Sequence, residues 1–372
     1  MSNENRQPTA PLENPAVAPI LVPLAGPAAT LGGIGGSLKR ELEDFQVFEV
    51  RPLRDEPAGE HCVVTLEKRD RTTDQAAHAL ARASGVNRGA IGYAGLKDRE
   101  GITVQAFSIH APRGLPEDWT AGLESNLRVL DQVWRSRKIK PGQLTGNRFV
   151  IRLRDCGDAQ TSDETLRERV QSIAQWVSQY GFPNAFGQQR FGRGGGNLES
   201  GLQLLAAGPR GRLPQRISRH QKGLMLSSVR SELFNRTLAQ RIEAGAYTQL
   251  LEGDIAQLAG RSACFPVADL AAEQARFAAG EINATGPLFG EKMLTPHGQP
   301  GAWEAEALAS LGGEALMAQL VAMRMEGQRR ALRVVPKDLC IDWEGRDALF
   351  TFELPKGAYA TTLLREFMGE LA

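Results

Sequence analysis

The chain has 372 residues, with 44 Lys and Arg against 43 Asp and Glu, a formal net charge of +1. That length predicts two domains or three, and the 42% hydrophobic and 23% charged content is ordinary for a soluble globular protein. No run approaches the roughly 18 apolar residues of a membrane helix. Near-zero net charge excludes a uniformly basic nucleic-acid coat but leaves room for a local basic groove.

Residues 1–30 hold six prolines, many alanines and only three charges, Glu4, Arg6 and Glu13. That composition reads as a disordered tail, here bounded at 1–32. Gly32-Gly33-Ile34-Gly35-Gly36 reads as a flexible join. A phosphate loop would need G-x-x-x-x-G-K-[ST], and no Gly-Lys pair occurs. Phe45–Val50 and Cys62–Leu66 have the β-branched and aromatic content of strands. Thr72–Ser84 reads as a helix with Ala76, Leu80 and Ala83 on one face, stopped by Gly85. Ile91–Ala94 is a short apolar strand ended by Gly95, so Lys97-Asp98-Arg99 falls in the loop that follows. Thr103–Ile109 and Phe149–Leu153 read as further strands. Thr161, with Glu164 at capping-box spacing, opens a helix whose inner face is Leu166, Val170, Ile173 and Val177, closed by Gly181. Loops and helices then prevail. The longest helix is expected from Gly223 to Ala244, with Leu226, Val229, Leu233, Leu238 and Ile242 inward. Strands return at Leu332–Val335, Leu339–Trp343 and Leu349–Leu354, before a final helix Thr361–Leu371. This order predicts an α+β domain interrupted by an inserted, mostly helical α+β domain.

Several active sites are missing: there is no H-E-x-x-H, no G-x-S-x-G and no dinucleotide fingerprint. The five histidines are scattered and the four cysteines form no C-x-x-C pair, so no metal site is expected. Free, widely spaced thiols and no secretory pattern fit a reducing cytoplasm. Two stretches concentrate positive charge. Residues 135–154 hold seven basic residues and no acid. Residues 183–230 carry Arg190, Arg193, Arg210, Arg212, Arg216, Arg219, Lys222 and Arg230 against Glu199 alone. Interleaved Phe149, Phe186 and Phe191 suit phosphate tracking and base stacking, while a solvated charged face is the ordinary reading of such runs. Arg135, Arg137, Lys138, Lys140, Arg190, Arg193, Arg216, Arg219 and Lys222 are the candidate RNA contacts. An isolated Asp98 between two cations reads as a turn residue. The cations also favour its ionised form, and a carboxylate without His, metal or a second close carboxylate has limited options, one of which is nucleophilic or electrostatic attack at an anomeric carbon.

GYAGLKDREGITVQ, residues 92–105, resembles the signature F/Y-A-G-x-K-D-x-x-A-x-T-x-Q of the TruD family of transfer RNA pseudouridine synthases. Four further segments resemble family elements in family order: Leu38–Glu49, GNRF at Gly146–Phe149, Gly181–Glu199 and Leu354–Met368. The resemblance covers residues 35–372. Leu42 stands where Pro is frequent, Gly101 where Ala is usual and Tyr359 where Phe is common. The resemblance implies a pseudouridine-synthase catalytic domain with a mixed or antiparallel sheet over 33–180 and 335–372, split by an insertion at 181–334. It implies that Asp98 starts cleavage of the uridine C1′–N1 bond, by attack at C1′ or by abstraction of a ribose proton, and that uracil rejoins through C5. The implied substrate is uridine at position 13 in the D-arm of transfer RNA. Phe45, Phe149, Tyr359 and Asn147 match active-site positions, as does Lys39, which would neutralise Asp98. Lys97, Arg99 and Gln105 belong to the same signature segment. No cofactor is needed between isomers, and transfer RNA is the expected partner of a monomeric chain with no membrane contact. Taken singly, Phe45 and Phe149 read as core, Asn147 as a turn residue and Lys39 as surface. Two other functions stay open: a non-catalytic RNA-binding or RNA-folding protein, which needs no Asp98, and a nucleoside or glycoside hydrolase, which has no use for the basic stretches.

Overall fold

The computed structural model of the protein describes residues 17–51, 57–209 and 217–370. The chain forms two compact units. A sheet unit comprises Leu24–Asn184 and Arg333–Ala372. An inserted unit comprises Ala185–Leu332, joined by the described residues up to Pro23.

The sheet unit begins with a one-turn helix α1 (Ala28–Leu31) and a short strand β1 (Gly35–Ser37). Then come β2 (Phe45–Val50), β3 (His61–Arg69), α2 (Thr73–Ser84), β4 (Ile91–Tyr93), β5 (Ile102–His110), β6 (Leu127–Arg135), β7 (Gly146–Cys156), α3 (Asp163–Tyr180) and β8 (Phe182–Pro183). Local chemistry sets the helix ends. The Thr72 hydroxyl accepts the Gln75 N–H at 3.2 Å, Gln75 Oε1 accepts the Thr72 N–H at 2.9 Å, and left-handed Gly85 stops α2. For α3 the sequence points to Thr161, but Ser162 is the cap and accepts the Thr165 N–H at 3.1 Å. Thr161 is engaged by Asp158, whose carboxylate accepts both its N–H and its hydroxyl.

In the inserted unit, α4 (Gly196–Ala207) and the long α5 (Arg219–Glu243) are followed by β9 (Ile255–Leu258), β10 (Cys264–Pro266), α6 (Leu270–Ala278), β11 (Ile282–Leu288), α7 (Gly298–Ala309), α8 (Gly313–Ala322) and β12 (Gln328–Ala331). The four strands form one sheet in the order β10-β9-β11-β12. Leu226, Val229, Leu233 and Leu238 of α5 are buried as their spacing predicts, and Ile242 is half-buried. Ser218 and Gln221 form a capping box that starts α5 four residues before the expected Gly223.

Back in the sheet unit, β13 (Arg333–Val334) pairs with β8, which puts both flanks of the insertion in that unit. β14 (Lys337–Glu344), β15 (Asp347–Pro355) and α9 (Ala360–Met368) finish the fold. The large sheet runs β14-β15-β7-β2-β5-β3-β6, with β1 on β7 and β4 on β5. Its one parallel pair is β2 with β5; the rest are antiparallel. α3 and α9 pack on β7 and β15 through Val170, Ile173, Phe367, Leu153 and Phe350. α2 packs on β3 and β5 through Leu80, Val64, Leu66 and Phe107.

Two expectations for the N-terminal region are corrected where the structure describes it. Residues 17–32 are ordered: Val22, Leu24 and Ala28 are buried. The Glu366 carboxylate accepts the N–H groups of Ala25 and, at 2.9 Å, Gly26. The Glu232 carboxylate accepts the N–H of Ile20. The segment's composition could not reveal this, because the ordering groups belong to other parts of the chain. Residues 1–16 lie outside the described residues. The GGIGG run is not a loose join either. Ile34 is buried, Gly35 and Ser37 pair with Cys156 and Arg154, and a Cβ on Gly33 would stand 2.1 Å from the Met368 carbonyl oxygen.

Candidate active site

Residues 94–101 join β4 to β5 and carry Asp98, whose side chain is 50% exposed. Lys39, in a left-handed turn between β1 and β2, brings Nζ to 3.8 Å from the Asp98 carboxylate and 3.8 Å from that of Glu100. The same ammonium stands 4.5 Å from the centre of the Phe45 ring, a cation–π distance. Phe45 meets Phe149 edge-on at 6.4 Å, and Phe149 stacks on Phe352 at 5.3 Å. Asp98, Lys39, Phe45 and Phe149 thus form one contiguous set.

Buried polar groups hold the Asp98 loop from below. The Lys97 N–H donates to the Thr73 hydroxyl at 2.9 Å, that hydroxyl donates to Gln105 Oε1 at 3.0 Å, and the Gln105 amide donates to the Gly95 carbonyl. The Lys97 ammonium turns inward to Glu49 at 3.1 Å, both side chains being almost wholly buried. Lys68 is fully buried and donates to the carbonyls of Arg71 at 2.6 Å and Asp98 at 3.1 Å. Burial pushes the Lys68 ammonium down to about 8, the charge of Lys97 adds to this, and Asp98 opposes it. Gly101 closes the loop at φ +139°, where a Cβ would lie 2.3 Å from the Phe45 carbonyl oxygen. The Ala usual in the resembling signature would not fit this backbone.

Two signature cations have partners other than Asp98. Lys97 is paired with Glu49, and Arg99 with Asp70 at 2.9 Å, a contact that holds the Asp70 carboxyl below its usual range. Lys39 is the cation at Asp98. Asn147 lies in β7 between Glu49 of β2 and Leu354 of β15, and its Oδ1 is buried with no hydrogen-bond partner among the described residues. Tyr359 is the half-buried residue before α9. Phe45 and Phe149 are 2% and 6% exposed, so both belong to the core. Sequence reasoning missed Glu49 and Lys68. Both stand in register with buried apolar residues, Phe45 and Val47 for Glu49, and Cys62, Val64 and Leu66 for Lys68. A charge at an inward position of a period-two strand was the available signal.

Of the candidate RNA contacts, Arg137 and Lys140 are exposed, and Arg135 at the end of β6 and Lys222 in α5 are half-buried. Lys138 donates to the Gly89 carbonyl. Arg190 donates to the Ser231 hydroxyl at 3.2 Å. Arg193 follows it in a short turn and Arg219 opens α5. Arg216 lies outside the described residues.

The family model for tRNA pseudouridine synthase D (TruD) matches residues 27–206 and 212–367. The tRNA pseudouridine synthase D of Xanthomonas oryzae pv. oryzae is 37% identical over 94% of this chain and 95% of its own length. That of an Anaeromyxobacter species is 38% identical over 91% and 94%. A Methanosarcina mazei crystal structure that carries the TruD name has a TM-score of 0.70 and 25% identity, covering 90% of this chain and 94% of that one. These matches span both units and the Asp98 loop, and the chain belongs to the TruD family of tRNA pseudouridine synthases.

Proposed function

We propose that this tRNA pseudouridine synthase isomerises the uridine at position 13, in the D-arm, and that Asp98 is the group that acts at the ribose. The observation that carries the reading is the geometry of Asp98: a half-exposed carboxylate with Lys39 at 3.8 Å, on a loop fixed by the Lys68, Thr73, Gln105 and Glu49 contacts. A group that meets its substrate only after a base is extruded must be accessible, and a pinned loop keeps it aimed.

The reaction needs no external group. The C1′–N1 bond breaks, uracil turns, a C1′–C5 bond forms, and the proton lost from C5 balances the one gained at N1. Asp98 serves either by attack at C1′ or by taking a ribose proton. Lys39 balances its charge, an attraction that strengthens as the medium becomes less polar. Phe45 and Phe149 are too buried to offer a stacking face and instead make the apolar floor under Lys39. The half-buried Tyr359 is the aromatic that stacks on the extruded uracil, offsetting about 1–3 kcal/mol of lost base stacking. Asn147, with its orphaned oxygen, is suited to accept a hydrogen bond from the base.

The test is Asp98→Asn, assayed on tRNA by a reagent that stops reverse transcription at pseudouridine. Turnover should vanish while tRNA affinity persists, because Asn keeps the shape without the charge or the nucleophile. Residual turnover within about tenfold of the unaltered enzyme would remove Asp98 from its role. A stop at another uridine would overturn the position.

A further inference from the structure

We propose that Leu96 is a wedge that fills the gap left in the tRNA stack when the target uridine is extruded, a proposal that rests on Asp98 being the group that acts on that uridine. Leu96 stands two residues before Asp98 in the loop that joins β4 to β5. It is the most exposed large apolar residue among the described ones, at 66%. A lone exposed leucine is ordinary on a protein surface. This one is set apart by the rigidity of its backbone and by the cations beside it.

The loop is tied on both sides of Leu96. The Ala94 carbonyl accepts the Gly142 N–H at 2.7 Å. The Gly95 carbonyl accepts the Gln105 amide at 2.5 Å, and the Lys97 N–H donates to the Thr73 hydroxyl at 2.9 Å. The Asp98 carbonyl accepts from the buried Lys68 ammonium at 3.1 Å. Lys97 is buried, whereas Leu96 and Asp98 on either side of it are exposed. The apolar tip and the carboxylate are therefore carried by one fixed stretch of chain. A side chain on an ordered backbone loses little further freedom on insertion, so its burial between bases is not offset by the ordering of a loop.

The flanking segment supplies the phosphate contacts that a wedge needs. Residues 136–145 are bonded to the loop through Gly142, and a Cβ on Gly95 would stand 3.4 Å from the Leu144 side chain. This segment carries exposed Arg137 and Lys140. Exposed Lys356 joins them, its Nζ donating to the Gly142 carbonyl at 3.3 Å. Cations hold the backbone phosphates on either side of a base step, and an apolar side chain inserted there unstacks it. Leucine has no polar atom with which to read a base, so its contribution is to keep the uridine out and not to choose the sequence. Once the uridine has left, the gap removes Leu96 from water, and that burial favours the extruded state.

The experiment uses the full chain and a tRNA carrying 2-aminopurine beside the uridine that the unaltered enzyme is first found to convert. The fluorescence of this base rises when its neighbour unstacks. Asp98→Asn, which binds without turnover, should give a rise on binding, and adding Leu96→Ala should remove most of it while the tRNA stays bound. In the enzyme with Asp98 intact, Leu96→Ala should lower turnover about 10–100-fold, the change expected from one buried leucine side chain. Leu96→Met should keep most of the activity, since it retains the apolar bulk. Melting temperatures should not change, because the side chain is exposed in the free protein. Leu96→Ala turnover within about threefold of the unaltered enzyme overturns the proposal. So does lost turnover with the fluorescence rise intact, which would make Leu96 a residue that shapes the loop. The absence of any rise with Asp98→Asn alone also overturns it, because a wedge acts before the chemistry. Failure of the functional reading looks different: Asp98→Asn would itself go on forming pseudouridine, whatever the Leu96 variants do.

Discussion

Glu366 offers a direct test of how the N-terminal segment is held. Its carboxylate is almost fully buried in α9, accepts the N–H groups of Ala25 and Gly26, and sits beside Arg365, which itself approaches Glu370 at 3.9 Å. Burial pushes Glu366 up from the ordinary 4.5 to about 7, although the two N–H groups and Arg365 pull the other way. The sign follows from linkage. The folded state holds this proton more tightly than the unfolded state, so the contribution is fully present below pH 4.5 and is lost as pH rises through about 7. At about 1.4 kcal/mol per pH unit, that rise amounts to roughly 3 kcal/mol between the two limits. Glu366→Gln keeps an oxygen for the two N–H groups but cannot ionise. We therefore expect the stability of the unaltered protein to fall by about 3 kcal/mol more than that of Glu366→Gln between mildly acidic and mildly alkaline pH. Urea unfolding followed by tryptophan fluorescence measures this, and Trp176, against which a Cβ on Gly26 would stand at 2.9 Å, reports from the segment itself. Other groups titrate in both proteins and cancel in the difference. Parallel stability curves for the two proteins would refute the reasoning.

Further outcomes are expected. Deleting the chain through Leu31 strips Glu366 and Glu232 of main-chain donors, and at about 1–3 kcal/mol for each buried partner lost the protein should melt several degrees lower; an unchanged melting temperature would mean these contacts do not matter. Lys68→Met should lower turnover about tenfold with tRNA affinity kept, since Lys68 holds the main chain of Asp98, besides that of Arg71, and not the substrate. The unaltered enzyme should lose rate as pH rises through about 8, where Lys68 gives up its charge, and Lys68→Arg should not; the same alkaline fall in both would separate Lys68 from catalysis. Tyr359→Phe should keep most activity, whereas Tyr359→Leu should lose a factor of about 5–150 at similar melting temperature; equal losses in the two would assign the role to the hydroxyl.

Much of the sheet unit was legible because its strands and helices carry strong local signals. β2 begins and ends where the aromatic and β-branched run does, and α2 and the inner face of α3 follow period and cap. The inserted unit was harder for a physical reason. Its strands are three to seven residues long, and β10 and β12 have no buried residue to mark an inward face. The N-terminal segment failed for a different reason. Composition measures what a segment can bury by itself, but Ala25 and Gly26 are ordered by a carboxylate 340 residues away in sequence.

The site divides along the same line. Asp98 and Lys97 were visible because a loop between a glycine-ended strand and a β-branched strand is local information. Which cation would face Asp98 was not, because Lys97 and Arg99 are its sequence neighbours while Lys39 is its neighbour in space. The decisive difference is the partner of each cation. Lys97 goes inward to Glu49 while the neighbouring Asp98 is half-exposed. Glu49 then needs a buried cation of its own, and this fixes Lys97 more firmly than any attraction to Asp98 could. With Lys97 committed below, the carboxylate can be balanced only by a residue from another element, and the left-handed turn at Lys39, resting on Phe45, supplies it. Removing Glu49 should therefore disturb Asp98 as well, by freeing Lys97 to compete with Lys39.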